Sequence, residues 1–193
     1  MRPFLLTIFT ILQFGACLAQ ETFEPPAEAP SIQATKALQS ITLDGRLEEA
    51  IWRDAMPITD FIQKDPVQGN EVSLPTEAKI LFDDDYLYVG AICSIRDRSD
   101  IRTQNLQRDF SYFQNDMFGI AIDGFLDKRN AMVYQTNPHG TQREILVMDG
   151  EIFNREWSGL WKVRTQILDS AWTVEMAIPW KTLRYPPGSD KLG

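Results

Sequence analysis

The feature that most constrains the fold is a series of short stretches in which apolar and polar residues alternate. The clearest covers residues 171–178, where Trp172, Val174, Met176 and Ile178 share one face. A repeat of two residues is typical of a β-strand with one face in a core. Such stretches recur about every ten residues, between turn sequences rich in Asp, Asn, Gly and Pro. About eight or nine strands and one short helix near the N-terminus predict an all-β fold, an antiparallel β-sandwich of immunoglobulin-like or jelly-roll-like form.

The strand pattern also predicts which side chains are buried. The predicted core includes Trp172, Met176, Ile178, Val89 and Ile120. Glu175 lies on the opposite face of its strand from Trp172. We expect this glutamate to pair with an arginine or a lysine of a neighbouring strand, in a structural role.

The N-terminal residues 1–19 have the features of a secretory signal peptide. Arg2 is followed by an apolar run too short to span a bilayer and by small residues before Gln20. Lipidation at Cys17 is an open alternative. Residues 20–37 are rich in Pro, Ala and Glu and are predicted to form a flexible leader, so the sandwich is expected over 38–193.

Charge and composition exclude several classes of function. The formal net charge is −8, which disfavours binding to nucleic acid or to anionic lipid. After the predicted cleavage Cys93 is the remaining cysteine, so no intramolecular disulfide is expected, as suits an exported bacterial envelope domain. His139 is the single histidine, which argues against histidine-based catalysis and zinc clusters.

The loop over residues 151–161 is the best candidate for ligand binding. Trp157 and Trp161 lie there with Asn154, Arg155 and two acids. A flat exposed indole can cover the apolar face of a sugar ring while nearby polar groups bond the hydroxyls. One of the two, preferably Trp157, is predicted to be the platform. The alternative is that both rings pack beneath the loop.

A second set of polar residues follows the turn at residues 137–140. Gln142 and Glu144 share one strand face, and Arg143 lies between them. On a concave face Gln142 and Glu144 could bond sugar hydroxyls; on an exposed face they would be solvated. Asp116, at the start of another strand, could meet Arg143 or Arg108 across a rim, or be a solvated charge.

Carboxylates suggest two further possibilities. Asp83, Asp84 and Asp85 could bind calcium, but they lack the spacing of an EF-hand loop, so a solvated hairpin turn is the alternative. A glycosidase needs two carboxylates facing each other across a cleft, and no motif pairs two of them. This segment is therefore not expected to be catalytic. If it belongs to an enzyme, that enzyme would be a hydrolase acting on O-glycosyl bonds.

Four segments in order resemble the carbohydrate-binding module family 9-like domains. They are ITLDGRLEEAIWRDA, AKILFDDDYLYVGAICSIRD, NDMFGIAID and DSAWTVEMAIPWKTL, and their order and spacing match over residues 40–185. The resemblance implies a sandwich that binds a polysaccharide or an oligosaccharide. It also implies that structural calcium can be present, without placing it.

The stretch QTNPHGTQREI is similar to a subfamily from Gram-negative bacteria. There the sandwich is the N-terminal part of a longer envelope protein whose C-terminal region is uncharacterised and barrel-like. This resemblance implies a location in the periplasm, the outer membrane or at the cell surface. It also implies a domain truncated at its C-terminus, with covalent continuation into an envelope domain.

Two functional hypotheses follow from the sequence. The first is a non-catalytic carbohydrate-binding module of an exported bacterial protein, acting in polysaccharide breakdown or uptake. The second is a structural or interaction domain of an outer-membrane protein that has kept the sandwich and lost sugar binding. An exposed indole beside convergent polar groups would favour the first hypothesis.

Overall fold

The predicted alternation of strands and turns is realised as two β-sheets packed face to face. The structure is a computed structural model that describes residues 23–24, 26–104 and 106–193. The described chain forms one α-helix, α1 (Ala50–Asp54), and nine strands: β1 (Thr35–Lys36), β2 (Thr76–Phe82), β3 (Tyr86–Ser94), β4 (Phe118–Ile122), β5 (Ala131–Thr136), β6 (Gln142–Met148), β7 (Ile152–Asn154), β8 (Lys162–Ile167) and β9 (Ala171–Pro179). Short 3₁₀ turns lie at Arg98–Asp100, Tyr112–Gln114 and Trp180–Thr182.

The first sheet has the order β1-β2-β3-β9-β8, and the second has the order β4-β5-β6-β7. All named pairs are antiparallel except β1 with β2. The predicted all-β, antiparallel sandwich with one short helix is therefore confirmed. No helix in the described part of the chain has the length and hydrophobicity needed to cross a bilayer.

The core lies between the two sheets, on the strand faces that the alternation of apolar and polar residues predicted to be buried. Trp172, Met176, Ile178 and Val89 are buried there, as predicted. Ile120 is only half-buried although it packs against this core. The reason is that β4 is an edge strand of its sheet, so one flank of its side chains stays open.

The opposite face of β9 is also buried, because the N-terminal segment covers it. Trp52 packs there with Ala177, Tyr88 and Leu81. A Cβ atom on Gly90 would lie 2.7 Å from the ring of Trp52. A glycine in the middle of β3 therefore lets the indole lie directly on the sheet.

The predicted partner of Glu175 is wrong. Its Oε2 accepts hydrogen bonds from the backbone N–H groups of Asp44 (2.9 Å) and Gly45 (3.0 Å). Arg164, its neighbour on β8, donates instead to the carbonyl oxygen of Val163 at 2.8 Å. The N-terminal turn that covers β9 excludes water and supplies amide donors, so the glutamate is anchored without a cation.

The predicted leader ends earlier than residue 37. Thr35 and Lys36 pair with Leu81 and Phe82 of β2, and Ala37 is buried. This segment thus adds an edge strand to the first sheet. The predicted signal peptide, 1–19, and the alternative site at Cys17 lie outside the described residues.

Candidate functional site

The polar site lies at the start of β6, where the second sheet leaves an edge open. β7 pairs only with Leu146, Val147 and Met148 of β6. Beside the first half of β6 lie two loops, the one before β4 and the one after β7. The backbone N–H of Asp109, in the first loop, donates to the carbonyl oxygen of Gln142 at 3.0 Å. Five residues on these elements form what we call the rim cluster: Arg108, Gln142, Glu144, Ser158 and Trp161.

Glu144 is the centre of the rim cluster. It is 1% exposed, on the core-facing side of β6. Its Oε1 accepts the indole N–H of Trp161 at 2.5 Å and a short hydrogen bond from the Arg108 guanidinium. Burial raises the pKa of Glu144, and the Trp161 and Arg108 donors partly offset that rise. The carboxylate is thus held in place by one buried donor and one donor that reaches the surface.

Arg108 connects this buried carboxylate to the surface. Its Nη1 donates to Oε1 of Gln142 at 3.0 Å, and its Nη2 donates to Oγ of Ser158 at 3.1 Å. The Arg108 side chain is 45% exposed. The amide of Gln142 also donates to the carbonyl oxygen of Trp161 at 3.0 Å. Side chains therefore lock both loops to β6.

The two loop tryptophans have different environments. Trp161 is buried and meets Tyr134 edge-on at 5.5 Å between ring centroids, so it cannot offer a ring face to a ligand. As a predicted ligand contact it is corrected to a core residue that positions Glu144. Trp157 is half-buried, meets Tyr134 edge-on at 5.9 Å and packs against Gly159. Trp157 is therefore only partly covered, and its neighbour Ser158 bonds Arg108.

Two other predicted site residues have local roles. Oδ1 of Asn154 accepts the backbone N–H of Glu156 at 3.0 Å, which shapes the start of the loop. For Asp116 the sequence left two alternatives open, a meeting with Arg143 or Arg108 and a solvated charge, and the structure shows neither arginine as its hydrogen-bond partner among the described residues. Its Oδ2 accepts the backbone N–H of Arg102 at 2.9 Å, because the long loop before β4 folds back onto the start of that strand.

Arg143 faces away from the rim cluster, because neighbouring residues of a strand point to opposite faces. It is 7% exposed, and its guanidinium carbon lies 5.3 Å from the ring centroid of Tyr112. The rings of Tyr112 and Phe113 lie 3.8 Å apart. Burial lowers the pKa of Arg143, and the exposed Arg155 adds to this effect. We call Arg143, Arg155, Tyr112 and Phe113 the arginine–aromatic cluster.

Three residues of these clusters were not among the predicted ligand-binding residues. Arg108, expected only as a possible partner of Asp116, lies with Tyr112 and Phe113 in the charged stretch before β4. Aromatic residues interleaved with charges in the stretch RDFSYF were the available signal. Phe110 from this stretch is 3% exposed, so the loop is anchored rather than simply solvated.

The three aspartates 83–85 form the turn between β2 and β3. Oδ1 of Asp83 accepts the backbone N–H groups of Asp85 and Tyr86, and its Oδ2 accepts the hydroxyl of Tyr88. Asp84 pairs with Lys36 at 2.8 Å. Within the described residues no group of three His, Cys, Asp or Glu side chains could hold a metal ion. The hairpin-turn alternative therefore describes this triplet.

The comparison with family models decides what kind of domain this is. The model for carbohydrate family 9 binding domain-like proteins matches residues 43–193. The chain belongs to this family. None of the curated proteins compared with it matches the chain in sequence.

Solved structures agree on the fold. A family 9 carbohydrate-binding module from Caldicellulosiruptor kristjanssonii in complex with glucose is 17% identical, with a TM-score of 0.59 over 83% of this chain and 73% of that one. The complex with cellotriose gives the same TM-score and identity over 84% and 73%. A proposed carbohydrate-binding protein from Bacteroides uniformis is 11% identical, with a TM-score of 0.59 over 77% and 72%. At these identities the likeness shows a shared family 9-like fold.

Proposed function

We propose that this domain is a non-catalytic carbohydrate-binding module that holds a polysaccharide or an oligosaccharide at the rim cluster and Trp157. The observation that carries the proposal is the position of Arg108. Its guanidinium is fixed by Glu144, Gln142 and Ser158, yet it remains 45% exposed. A sugar offers an apolar C–H face and several hydroxyls, so it is recognised by an aromatic surface with fixed polar groups beside it. Trp157 and Arg108 supply this combination.

The buried part of the rim cluster prepares the surface part for binding. Glu144 and Gln142 restrain Arg108 before any ligand arrives, so less side-chain entropy is lost on binding. Oε2 of Glu144 accepts no hydrogen bond from the described residues. This oxygen is a further acceptor for a hydroxyl that reaches past Arg108.

Family membership supports the same function. The two solved family 9 structures from Caldicellulosiruptor kristjanssonii are complexes with glucose and with cellotriose. These two sugars are therefore the first probes for the rim cluster. The proposed site needs no catalytic group, because its polar side chains only bind and orient the saccharide.

We place this module in an exported bacterial protein of the Gram-negative envelope, acting in polysaccharide breakdown or uptake. The support is the apolar N-terminal stretch after Arg2 and the stretch QTNPHGTQREI, which is similar to a subfamily from Gram-negative bacteria. A binding module that continues into an envelope domain would concentrate a polysaccharide at the cell surface.

One observation favours a second function, that of a structural or interaction domain without sugar binding. Two cavities, of about 130 and 140 Å³, lie away from the rim cluster. The first lies beside Ile122, Phe125 and Met132, and the second beside Trp52 and Gly90. Neither of these two cavities is lined by Trp157 or by a residue of the rim cluster.

Calorimetric titration decides between the two functions. The parent domain is titrated with glucose, cellotriose and a panel of plant and algal polysaccharides. Trp157→Ala is expected to weaken binding to the best ligand by roughly ten- to a hundredfold, the scale of one lost aromatic platform. Phe125→Ala, which removes another exposed ring, is the matched control and should bind as the parent does.

Melting temperatures of both variants show whether the fold is intact. If Trp157→Ala binds as the parent does, the saccharide site lies elsewhere. If the parent binds no member of the panel, the structural function is the better one.

A further inference from the structure

Arg143 is a buried cation that lacks an acidic partner. It is 7% exposed, and none of the ion pairs or side-chain hydrogen bonds among the described residues includes it. Asp109 acts on Arg143 through space but forms no ion pair with it in the described chain. Removing a charge from water without pairing it is costly. A guanidinium placed this way is ready to receive an anionic group.

A second cation, Arg155, acts on Arg143 through space. Arg155 is exposed on the loop after β7 and is close enough to act electrostatically on Arg143. It too makes no ion pair within the described residues. Two guanidinium groups that repel each other are both stabilised when an anion binds between them.

Two aromatic rings lie between Arg143 and the solvent. The ring of Tyr112 lies over Arg143, and the ring of Phe113 contacts that of Tyr112 at 3.8 Å between centroids, with a tilt of 33° between the planes. Exposure rises along the stack, from 7% at Arg143 to 43% at Tyr112 and 81% at Phe113. The order from buried cation to exposed ring places an apolar surface beside the guanidinium of Arg143.

We infer that the arginine–aromatic cluster is a subsite for an acidic saccharide. Arg143 and Arg155 would bind an anionic substituent, either the carboxylate of a uronic acid or a sulfate ester, and Tyr112 and Phe113 would cover the apolar face of the sugar that carries it. A guanidinium matches two oxygens of either group in a bidentate way. Stacking of an aromatic ring on the sugar adds contact without a charge requirement.

The inference rests on the proposed saccharide binding and extends it along one ligand. Gln142 of the rim cluster and Arg143 are consecutive residues of β6, so the two clusters lie on opposite faces of the same edge. Arg108 and Tyr112 come from the same loop, which crosses that edge at the Asp109–Gln142 hydrogen bond. A saccharide chain that passes over the edge can contact both clusters.

The test compares matched charged and neutral sugars. The parent domain is titrated with an oligogalacturonate and with its methyl ester, and separately with a sulfated galactan oligosaccharide and its desulfated form. An affinity at least about tenfold higher for a charged form is expected, the scale of one charge-assisted contact. The preferred pair distinguishes a carboxylate from a sulfate ester.

Variants assign the effect to these residues. Arg155→Gln is expected to weaken binding of the preferred charged form about tenfold and to leave its neutral form unchanged. Arg164→Gln removes another exposed arginine, on β8 of the first sheet, and should have no effect. Phe113→Ala should weaken the charged and the neutral form by a similar factor, because stacking does not depend on charge.

The outcomes separate this inference from the function on which it rests. Neutral sugars that bind with the same affinity as their charged forms, together with unchanged binding by Arg155→Gln, would overturn the inference and leave saccharide binding intact. Charged sugars that depend on Arg155 but not on Trp157 would support the subsite and place the main site here instead of at the rim. A parent that binds none of the four sugars and none of the wider panel would contradict both.

Discussion

The two buried glutamates of this domain, Glu175 and Glu144, have similar positions and opposite surroundings. Each lies within a strand, near a tryptophan, with 1% exposure or less. Glu175 is covered by the N-terminal segment and accepts two backbone N–H groups. Glu144 accepts an indole N–H and the half-exposed Arg108. A carboxyl group enclosed by backbone has a structural role, whereas a carboxylate bonded to a surface cation can take part in binding.

The largest expected effect concerns the region around Glu175, which the N-terminal segment covers. Trp52→Ala should lower the free energy of unfolding by about 3–5 kcal/mol, because it removes a fully buried indole that covers Gly90 and β9. Denaturant unfolding measures this loss. Saccharide affinity of the folded fraction should be unchanged. A parallel loss of affinity would show that the regions around Glu175 and Glu144 are coupled.

The second prediction uses the pH dependence of stability. Burial raises the pKa of Glu175 to about 7, from an ordinary value of 4.5. An acid whose pKa is higher in the folded state contributes its full stability below the unfolded pKa and loses it as the pH rises through the folded pKa. Between pH 4.5 and pH 8 the parent should therefore lose about 3 kcal/mol through this group.

Glu175→Gln provides the comparison for this pH effect. The glutamine keeps an acceptor for the amides of Asp44 and Gly45 but cannot ionise. The difference in unfolding free energy between variant and parent should grow in favour of the variant from pH 5 to pH 8. A difference that stays flat over this range would mean that the carboxyl ionises normally in the fold.

The third and smallest expected effect concerns the region around Glu144, where Arg108 reaches the surface. Arg108→Gln leaves Glu144 buried without its cation and should cost about 1–2 kcal/mol, less than a fully buried pair because Arg108 is 45% exposed. Adding Glu144→Gln in the same chain should restore much of that loss, since no charge then stays buried. Thermal unfolding of the two variants checks this. If the double variant is less stable than Arg108→Gln alone, Glu144 stabilises the fold independently of Arg108.

The contrast between the two glutamates also shows which parts of the site could be predicted. Gln142 and Glu144 were correctly placed on one strand face, because the two-residue repeat of a strand is a local property. The local sequence does not determine whether that face is concave, solvated or turned to the core. It depends on how the loops of residues 97–117 and 155–161 close over an edge that β7 leaves open. The roles of Trp157 and Trp161 differ for the same reason. Trp157 lies in the loop and is half-buried, whereas Trp161 is buried in the core.

The sequence by itself determined the strands, the core face of β9 and the family, because burying alternate apolar side chains requires only a period of two and a sufficient number of strands. The tertiary structure alone decided the partners of the polar residues. Glu175 meets Asp44 and Gly45 across 131 and 130 positions, and Arg108 meets Glu144 across 36. A charged side chain bonds whichever group the path of the chain brings within about 3 Å, and that path is fixed by the packing of the whole sandwich.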